Sequence, residues 1–293
     1  MYLLLVIKMR SEQIQNCKKN FQIVSFSLVL PVNINYGIME KLTLIKVGGG
    51  IVEEPESLRE LLLLFSKIPG NKVLVHGGGR SATRMAAQLG IETKMVNGRR
   101  ITDIEMLKVV TMVYGGLVNK NVVAGLQAAG VNALGLTGAD MNIMLSEKRP
   151  VKDVDYGYVG DVKSVQGEAL AALIERGVVP VLAPLTHDGK GNILNTNADT
   201  IAGEAAKALA RYFDVTLVFC FEKNGVLRDA DDDNSVIPQM NEADFRNYVE
   251  QGIVQGGMIP KLENAFQSIA AGVKEVIITK ASNLGQSGGT HIF

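Results

Sequence analysis

The chain has 293 residues, 47% of them hydrophobic and 5% aromatic, with 31 glycines. Lys plus Arg and Asp plus Glu both number 30, so no general basic field exists to hold nucleic acid or an anionic membrane, and a polyanion must be gripped locally. Two cysteines in unlike surroundings and three scattered histidines give no disulfide framework or zinc pattern, which sets the expectation of a reducing, cytoplasmic setting.

Residues 1–38 carry two apolar runs, Met1–Ile7 and Phe21–Val32, on either side of the polar stretch Lys8–Asn20. Both fall short of the roughly 20 apolar residues a membrane span needs, and Lys8 and Arg10 follow the first run instead of preceding it as in a signal peptide. Met39-Glu40-Lys41-Leu42 reads as a protein start, so residues 1–38 are expected to be a poorly ordered extension or an artefact of start-codon choice.

From residue 42 onward strand and helix patterns alternate. Leu42–Val47 is a strand ended by Gly48-Gly49-Gly50, and Pro55–Lys67 is a helix with proline in its first turn. Lys72–Val75 is a second strand, stopped by His76-Gly77-Gly78-Gly79 ahead of helix Arg80–Leu89. Asp103 caps a long helical stretch to Ala129 that Gly115 and Gly116 weaken in its middle. Residues 132–161 read as a β-hairpin excursion, followed by helix Glu168–Arg176, strand Val178–Leu182 and a hairpin around Asp188–Gly191. Helix Ala198–Arg211, strand Val215–Phe221, helix Glu242–Gln251, helix Lys261–Ala271 and strand Glu275–Thr279 complete the pattern. The alternation predicts an α/β fold: a mainly parallel central sheet sandwiched by helices on both faces, in two lobes. Ligands in such sheets collect at the carboxyl ends of strands, where both early glycine clusters lie.

The phosphate-loop pattern Gly-x-x-x-x-Gly-Lys-Ser/Thr is absent, as is Gly-x-Gly-x-x-Gly after the first strand. Lys46 stands in an otherwise apolar strand, where an ammonium without a partner is costly, so an anion near Gly48 and Gly49 would account for it; an exposed strand edge is the plainer alternative. Arg100 has the fork to clamp a carboxylate, or else Arg99-Arg100 is a solvated turn. Asn195-Thr196-Asn197-Ala198-Asp199 offers polar groups before a helix, with Asn197 as a simple cap the alternative, and Lys261 beside Gly256-Gly257 reads alone as a surface lysine. Cys220, inside Val215–Phe221, reads as a buried small hydrophobe.

In this order the chain also carries Ile45-Lys46-Val47-Gly48-Gly49, Val75-His76-Gly77-Gly78-Gly79, Asn97-Gly98-Arg99-Arg100-Ile101-Thr102 and Gly115-Gly116-Leu117-Val118-Asn119-Lys120. Gly157-Tyr158-Val159-Gly160-Asp161, Asn195-Thr196-Asn197-Ala198-Asp199 and Gly257-Met258-Ile259-Pro260-Lys261 follow. Together these motifs resemble the amino acid kinase family from about Leu42 to Ile292. The resemblance implies transfer of the γ-phosphoryl group of ATP to the side-chain carboxylate of N-acetyl-L-glutamate. The alternatives are another N-acylglutamate such as N-succinyl-L-glutamate, or a non-catalytic amino-acid sensor on the same fold.

By the same resemblance, residues 39–195 form the acylglutamate lobe and 196–293 the ATP lobe. Gly78 and Gly79 hold substrate, Arg100 its α-carboxylate and Asn195 its amide. Lys46 and Lys261 flank the transferring phosphoryl, with Asp199 holding both lysines. Gly48, Gly49, Gly225, Val226, Leu227, Ile253, Val254 and Gln255 line the nucleotide. Mg²⁺ is expected to ride on the nucleotide phosphates and water without a protein cage. A homodimer is expected, with neither nucleic acid nor membrane as partner. The chain departs from the family pattern at Glu222-Lys223-Asn224-Gly225, where relatives carry Thr or Ser followed by Asp-Val-x-Gly.

Overall fold

The computed structural model describes residues 39–96, 98–286 and 288–293; the readings of residues 1–38, Cys17 included, and of Asn97 fall outside the described residues. The chain begins with β1 (Lys41–Val47), the single turn α1 (Gly49–Val52), α2 (Pro55–Lys67), β2 (Asn71–His76) and α3 (Gly79–Gln88). The hairpin β3 (Met95–Val96) and β4 (Arg99–Arg100) leads into α4 (Ile104–Ala128). Next come β5 (Ala133–Leu136), β6 (Met144–Lys148), β7 (Gly160–Val165), α5 (Gly167–Glu175), β8 (Val179–Leu182), β9 (Leu185–His187), β10 (Ile193–Asn195) and α6 (Ala198–Leu209). The last elements are β11 (Asp214–Phe221), β12 (Gln239–Met240), α7 (Glu242–Glu250), α8 (Met258–Ala270), β13 (Glu275–Lys280) and β14 (Thr290–Ile292).

Eight strands form one sheet in the order β12-β14-β13-β11-β1-β2-β8-β5. All neighbours from β13 to β5 run parallel, and β14 turns antiparallel against β13. Because β1 lies between β2 and β11, the chain winds away from it in both directions, and its carboxyl end is the switch point at which such sheets bind ligands. The expected boundary between residues 195 and 196 falls where β10 gives way to α6, and the large sheet runs through it unbroken.

Strand alternation sends Leu42 and Leu44 of β1 to one face and Ile45 and Val47 to the other. The first face packs on α5, α6 and α8 through Leu170, Ile201, Ala205 and Leu262. The second packs on α2, α3 and α4 through Leu61, Phe65, Ala82 and Leu126. Each large apolar side chain buried this way contributes about 1.5–3 kcal/mol over leaving it exposed. Lys46 has the parity of Leu42 and Leu44, so β1 delivers it to the α6 side at the end of the sheet.

Several features differ from the pattern reading, among them the short strands β3, β4, β12 and β14, which it does not contain. Part of the 132–161 excursion and the hairpin near Asp188 join into one four-stranded sheet, β10-β9-β6-β7. The helix through Gly115 and Gly116 is not simply weakened there: Thr111–Val118 is π-helical, one residue per turn wider than its α-helical flanks. By length and composition α4 is apolar enough to cross a bilayer, yet Met106, Val110, Val113 and Val122 pack it into the core.

Candidate active site

The loops after β1, β2 and β11 converge. A Cβ placed on Gly49 would lie 3.3 Å from the Gly78 nitrogen and 3.4 Å from the Gly79 nitrogen, so the first two loops touch backbone to backbone. Gly78 has φ of +155°, and a Cβ there would also meet the Tyr114 ring at 2.9 Å, which leaves room for glycine alone. Among the described residues neither the Gly78 nor the Gly79 N–H reaches a protein acceptor. Gly79 opens α3, so these free donors sit at the positive end of a helix dipole and suit an anion.

Lys46 is 7% exposed, and its Nζ lies 2.7 Å from Asp199 Oδ1. Asp199 stands in the first turn of α6, where the Asn197 side chain accepts from the N–H groups of Asp199 and Thr200. Asn197 is therefore a helix cap, and the cap fixes the carboxylate that holds Lys46. Phe221, at the end of β11, lies beneath both ammonium groups: its ring centre is 5.2 Å from Lys46 Nζ and 3.7 Å from Lys261 Nζ. One helical turn beyond Lys261, Asn264 donates to the Asp199 carbonyl at 3.1 Å and ties α8 to α6. Burial lowers the pKa of Lys261; the negative Asp199 opposes this, Lys46 reinforces it, and Glu222 opposes it again.

A cavity of about 200 Å³ is lined by Gly78, Gly79, Arg99, Arg100, Tyr114 and Asn195. Arg100 is no solvated turn: it is 8% exposed and donates to the Gly79 carbonyl at 2.8 Å, Thr83 Oγ1 at 2.9 Å and Thr93 Oγ1 at 3.2 Å. Asn195 Nδ2 donates to Thr102 Oγ1 at 2.9 Å, and Thr102 is stitched to Tyr156 and Tyr158 through its backbone. Burial raises the pKa of Tyr114, against the pull of the Arg100 charge.

A second cavity, of about 460 Å³, is lined by Lys46, Gly48, Gly49, Phe221, Gly225 and Lys261. Gly79 belongs to the walls of both. Arg80 and Glu222 also line the second cavity and form a 3.0 Å ion pair. Pattern reasoning missed Arg80, Phe221 and Tyr114; only the position of Arg80 directly after a glycine turn hinted at a role. The other predicted nucleotide residues do not line this cavity. Val226 and Val254 are in the core, Ile253 packs against it, Leu227 bridges to Val236, and Gln255 bonds the Gly252 carbonyl. Cys220 is fully buried and burial pushes its thiol up to about 12, in keeping with a packing role.

His76 precedes the Gly77–Gly79 loop and is fully buried. Burial pulls its pKa down to about 4; its bond to the Gly77 carbonyl opposes this and the Lys120 charge adds to it. The folded chain thus holds a neutral imidazole that the unfolded chain would protonate near pH 6.5. This contribution to stability is complete above pH 6.5 and is lost as pH falls from there through about 4, roughly 3 kcal/mol in all. Urea melts at pH 7.5 and 4.5 should show that loss in the native chain and less of it in His76→Asn; equal losses would refute the assignment.

The family model for the amino acid kinase family matches residues 41–280. Acetylglutamate kinase of Parabacteroides distasonis is 74% identical over 255 residues, covering 87% of this chain and 100% of that protein. Its counterpart from Bacteroides fragilis is 72% identical over 253 residues, covering 86% and 97%. Among solved structures, smu.665 from Streptococcus mutans superposes with a TM-score of 0.70 at 30% identity, covering 86% of this chain and 98% of that one.

Proposed function

The chain belongs to the amino acid kinase family, and from that membership we infer that it transfers the γ-phosphoryl group of ATP to the side-chain carboxylate of N-acetyl-L-glutamate. The product is N-acetylglutamyl 5-phosphate, and the reaction serves arginine biosynthesis. The observation that carries this reading is the shared wall at Gly79: a cavity with Arg100 and Asn195 abuts one with Lys46 and Lys261. A carboxylate in the first and a triphosphate in the second would meet over the free Gly78 and Gly79 amides.

In this assignment residues 39–195 carry the acylglutamate and 196–293 most of the ATP contacts. Arg100 takes the α-carboxylate, and Asn195 takes the acyl amide. Lys46 and Lys261 neutralise charge on the moving phosphoryl, and Asp199 orients Lys46. The acceptor is already ionised near neutral pH, so no base is needed; positioning and charge stabilisation suffice. Gly48, Gly49 and Gly225 lie where nucleotide phosphates would pass. Mg²⁺ fits as an ion delivered by the nucleotide: no three metal-ligating side chains cluster among the described residues, and Glu222 is the carboxylate on the wall. When bound, it would screen the phosphate charge.

A homodimer is supported by β5, an open edge of the large sheet with Leu134 38% exposed, and by a cavity of about 650 Å³ between α2 and α4, lined by Leu58, Leu62 and Ala124. The solution mass checks it; one chain's mass would remove the dimer. A cytoplasmic location accords with such a biosynthetic role.

Arg99 favours a second reading of the acyl group. It lines the substrate cavity beside Arg100 and has no carboxylate within ion-pair distance among the described residues. Burial and then the Arg149 charge lower its pKa, and the Asp161 charge, beyond ion-pair distance, opposes them only in part. Such a cation suits a second carboxylate, as on N-succinyl-L-glutamate. Acyl-phosphate formation trapped with hydroxylamine, run with N-acetyl- and N-succinyl-L-glutamate, free glutamate and aspartate, decides between them. Turnover of the N-acetyl substrate is expected, and silence on all four by folded protein would favour a sensor.

A further inference from the structure

A chain of directed hydrogen bonds runs beneath the glycine loop, and phosphoryl transfer as described leaves it without a role. His76 Nδ1 lies 2.6 Å from the Gly77 carbonyl oxygen. A carbonyl only accepts, so Nδ1 carries the proton and Nε2 is left with its lone pair. Nε2 accepts from Asn119 Nδ2 at 3.1 Å, and the same amide nitrogen donates to the Val181 carbonyl at 3.0 Å. The Asn119 amide is fixed in turn by Lys120, whose Nζ donates to Asn119 Oδ1 at 3.1 Å and to the Gly135 carbonyl at 3.2 Å. The strand leaves room for this: a Cβ on Gly135 would lie 1.9 Å from Asn119 Oδ1 and 2.8 Å from Lys120 Nζ. His76 and Asn119 are 0% and 1% exposed, so water cannot substitute for either partner.

A planar trans peptide points its C=O and the following N–H in opposite directions. Holding the Gly77 carbonyl toward the His76 ring therefore turns the Gly78 N–H away from it. That nitrogen and its neighbour at Gly79 lie against Gly49, where the two cavities share a wall. Gly78, with φ of +155°, has the backbone freedom to turn the other way if nothing held it. We propose that His76 and Asn119 are positioning residues that set the orientation of the Gly77–Gly78 peptide, so that the Gly78 N–H faces the reacting carboxylate and phosphoryl group. The proposal rests on the kinase reading of this site and gives the Gly115–Lys120 motif a function: Asn119 fixes the imidazole tautomer, and Lys120 fixes Asn119.

Two near-isosteres separate this role from mere packing. Asparagine places an amide donor where Nδ1 was and loses the Asn119 contact; glutamine places its amide near Nε2 and loses the bond to Gly77. His76→Asn is expected to keep kcat within about threefold of the native value, and His76→Gln to lose about 10- to 100-fold with KM for ATP unchanged. A purely structural role predicts no advantage for asparagine, so equal kcat in the two variants, or losses that follow their melting temperatures, would overturn the proposal. Imidazole ¹⁵N spectra of the native protein give a second arm: protonated Nδ1 with bare Nε2 is expected, and the opposite tautomer overturns the relay. If the native protein phosphorylates no acylglutamate, the kinase reading fails while the spectra still decide the tautomer.

Discussion

Replacing Lys46 by alanine is expected to lower turnover by about 100- to 1,000-fold while the chain still folds, the effect of one charge-stabilising donor removed from a preorganised site. Strand parity brings Lys46 out of β1 on the α6 side, and the pair with Asp199 at 2.7 Å fixes where its ammonium stands. Truncation leaves the Asp199 carboxylate without that partner, a cost of about 1–3 kcal/mol. The Asp199 side chain is 19% exposed, and Lys261 lies near enough to feel its charge, so the fold is expected to survive. Asp199→Asn keeps the shape and the Asn197 cap and removes the charge; its kcat should fall by about tenfold, the smaller loss of a group that orients rather than touches. Hydroxylamine-trapped acyl phosphate gives both rates, and a near-native rate for Lys46→Ala would take it out of the mechanism.

Arg100→Lys is expected to raise KM for the acylglutamate by about 10- to 100-fold and to leave kcat much closer to native. The guanidinium already gives hydrogen bonds to Gly79, Thr83 and Thr93, and as a planar fork it can do so while facing a carboxylate in the cavity. Lysine carries the charge without the fork and cannot hold three fixed acceptors and a ligand together. Loss of one charge-assisted hydrogen bond, about 1.5–3 kcal/mol, sets the size of the effect. Initial rates over a range of acylglutamate concentrations separate the constants. An unchanged KM with a lower melting temperature would make Arg100 a buttress of α3 and nothing more.

Much of this was legible in the sequence, for physical reasons that differ from residue to residue. An ammonium in the apolar run of β1 demands an anion; the pattern pointed to one near Gly48 and Gly49, and in the fold the partner is Asp199 from the distant α6. Glycines at strand ends mark where backbone must approach backbone, and Gly49 against Gly78 is such a contact. Phe221 gave no signal because an aromatic residue in a strand reads as core, and nothing in the alternation tells that its ring carries two ammonium groups. Val226 and Val254, which the family resemblance puts along the nucleotide, have their side chains buried in the core, as the plain rule of apolar burial has it for valine. β12 and β14 are too short to show a period of two, and the sheet pairs them through contacts distant in sequence.

The π-helical turn within α4 bears on how this chain tolerates changes of length. Tyr114 underlies Gly78, and Asn119 reaches His76, so side chains five residues apart serve the same loop. On an α-helix, at about 100° per residue, they would point about 140° apart; the π-turn, which closes its ring over five residues, brings them to one side. Deletion of a single residue between Thr111 and Val118 would let the helix relax to α-geometry and rotate Asn119 by roughly 100° away from the imidazole. Substitutions at solvent-facing Gly116 or Leu117 touch none of this. Indels and point changes in this segment should therefore meet very different selection: the reading frame of the helix surface is held tightly, while its exposed lettering is free to drift.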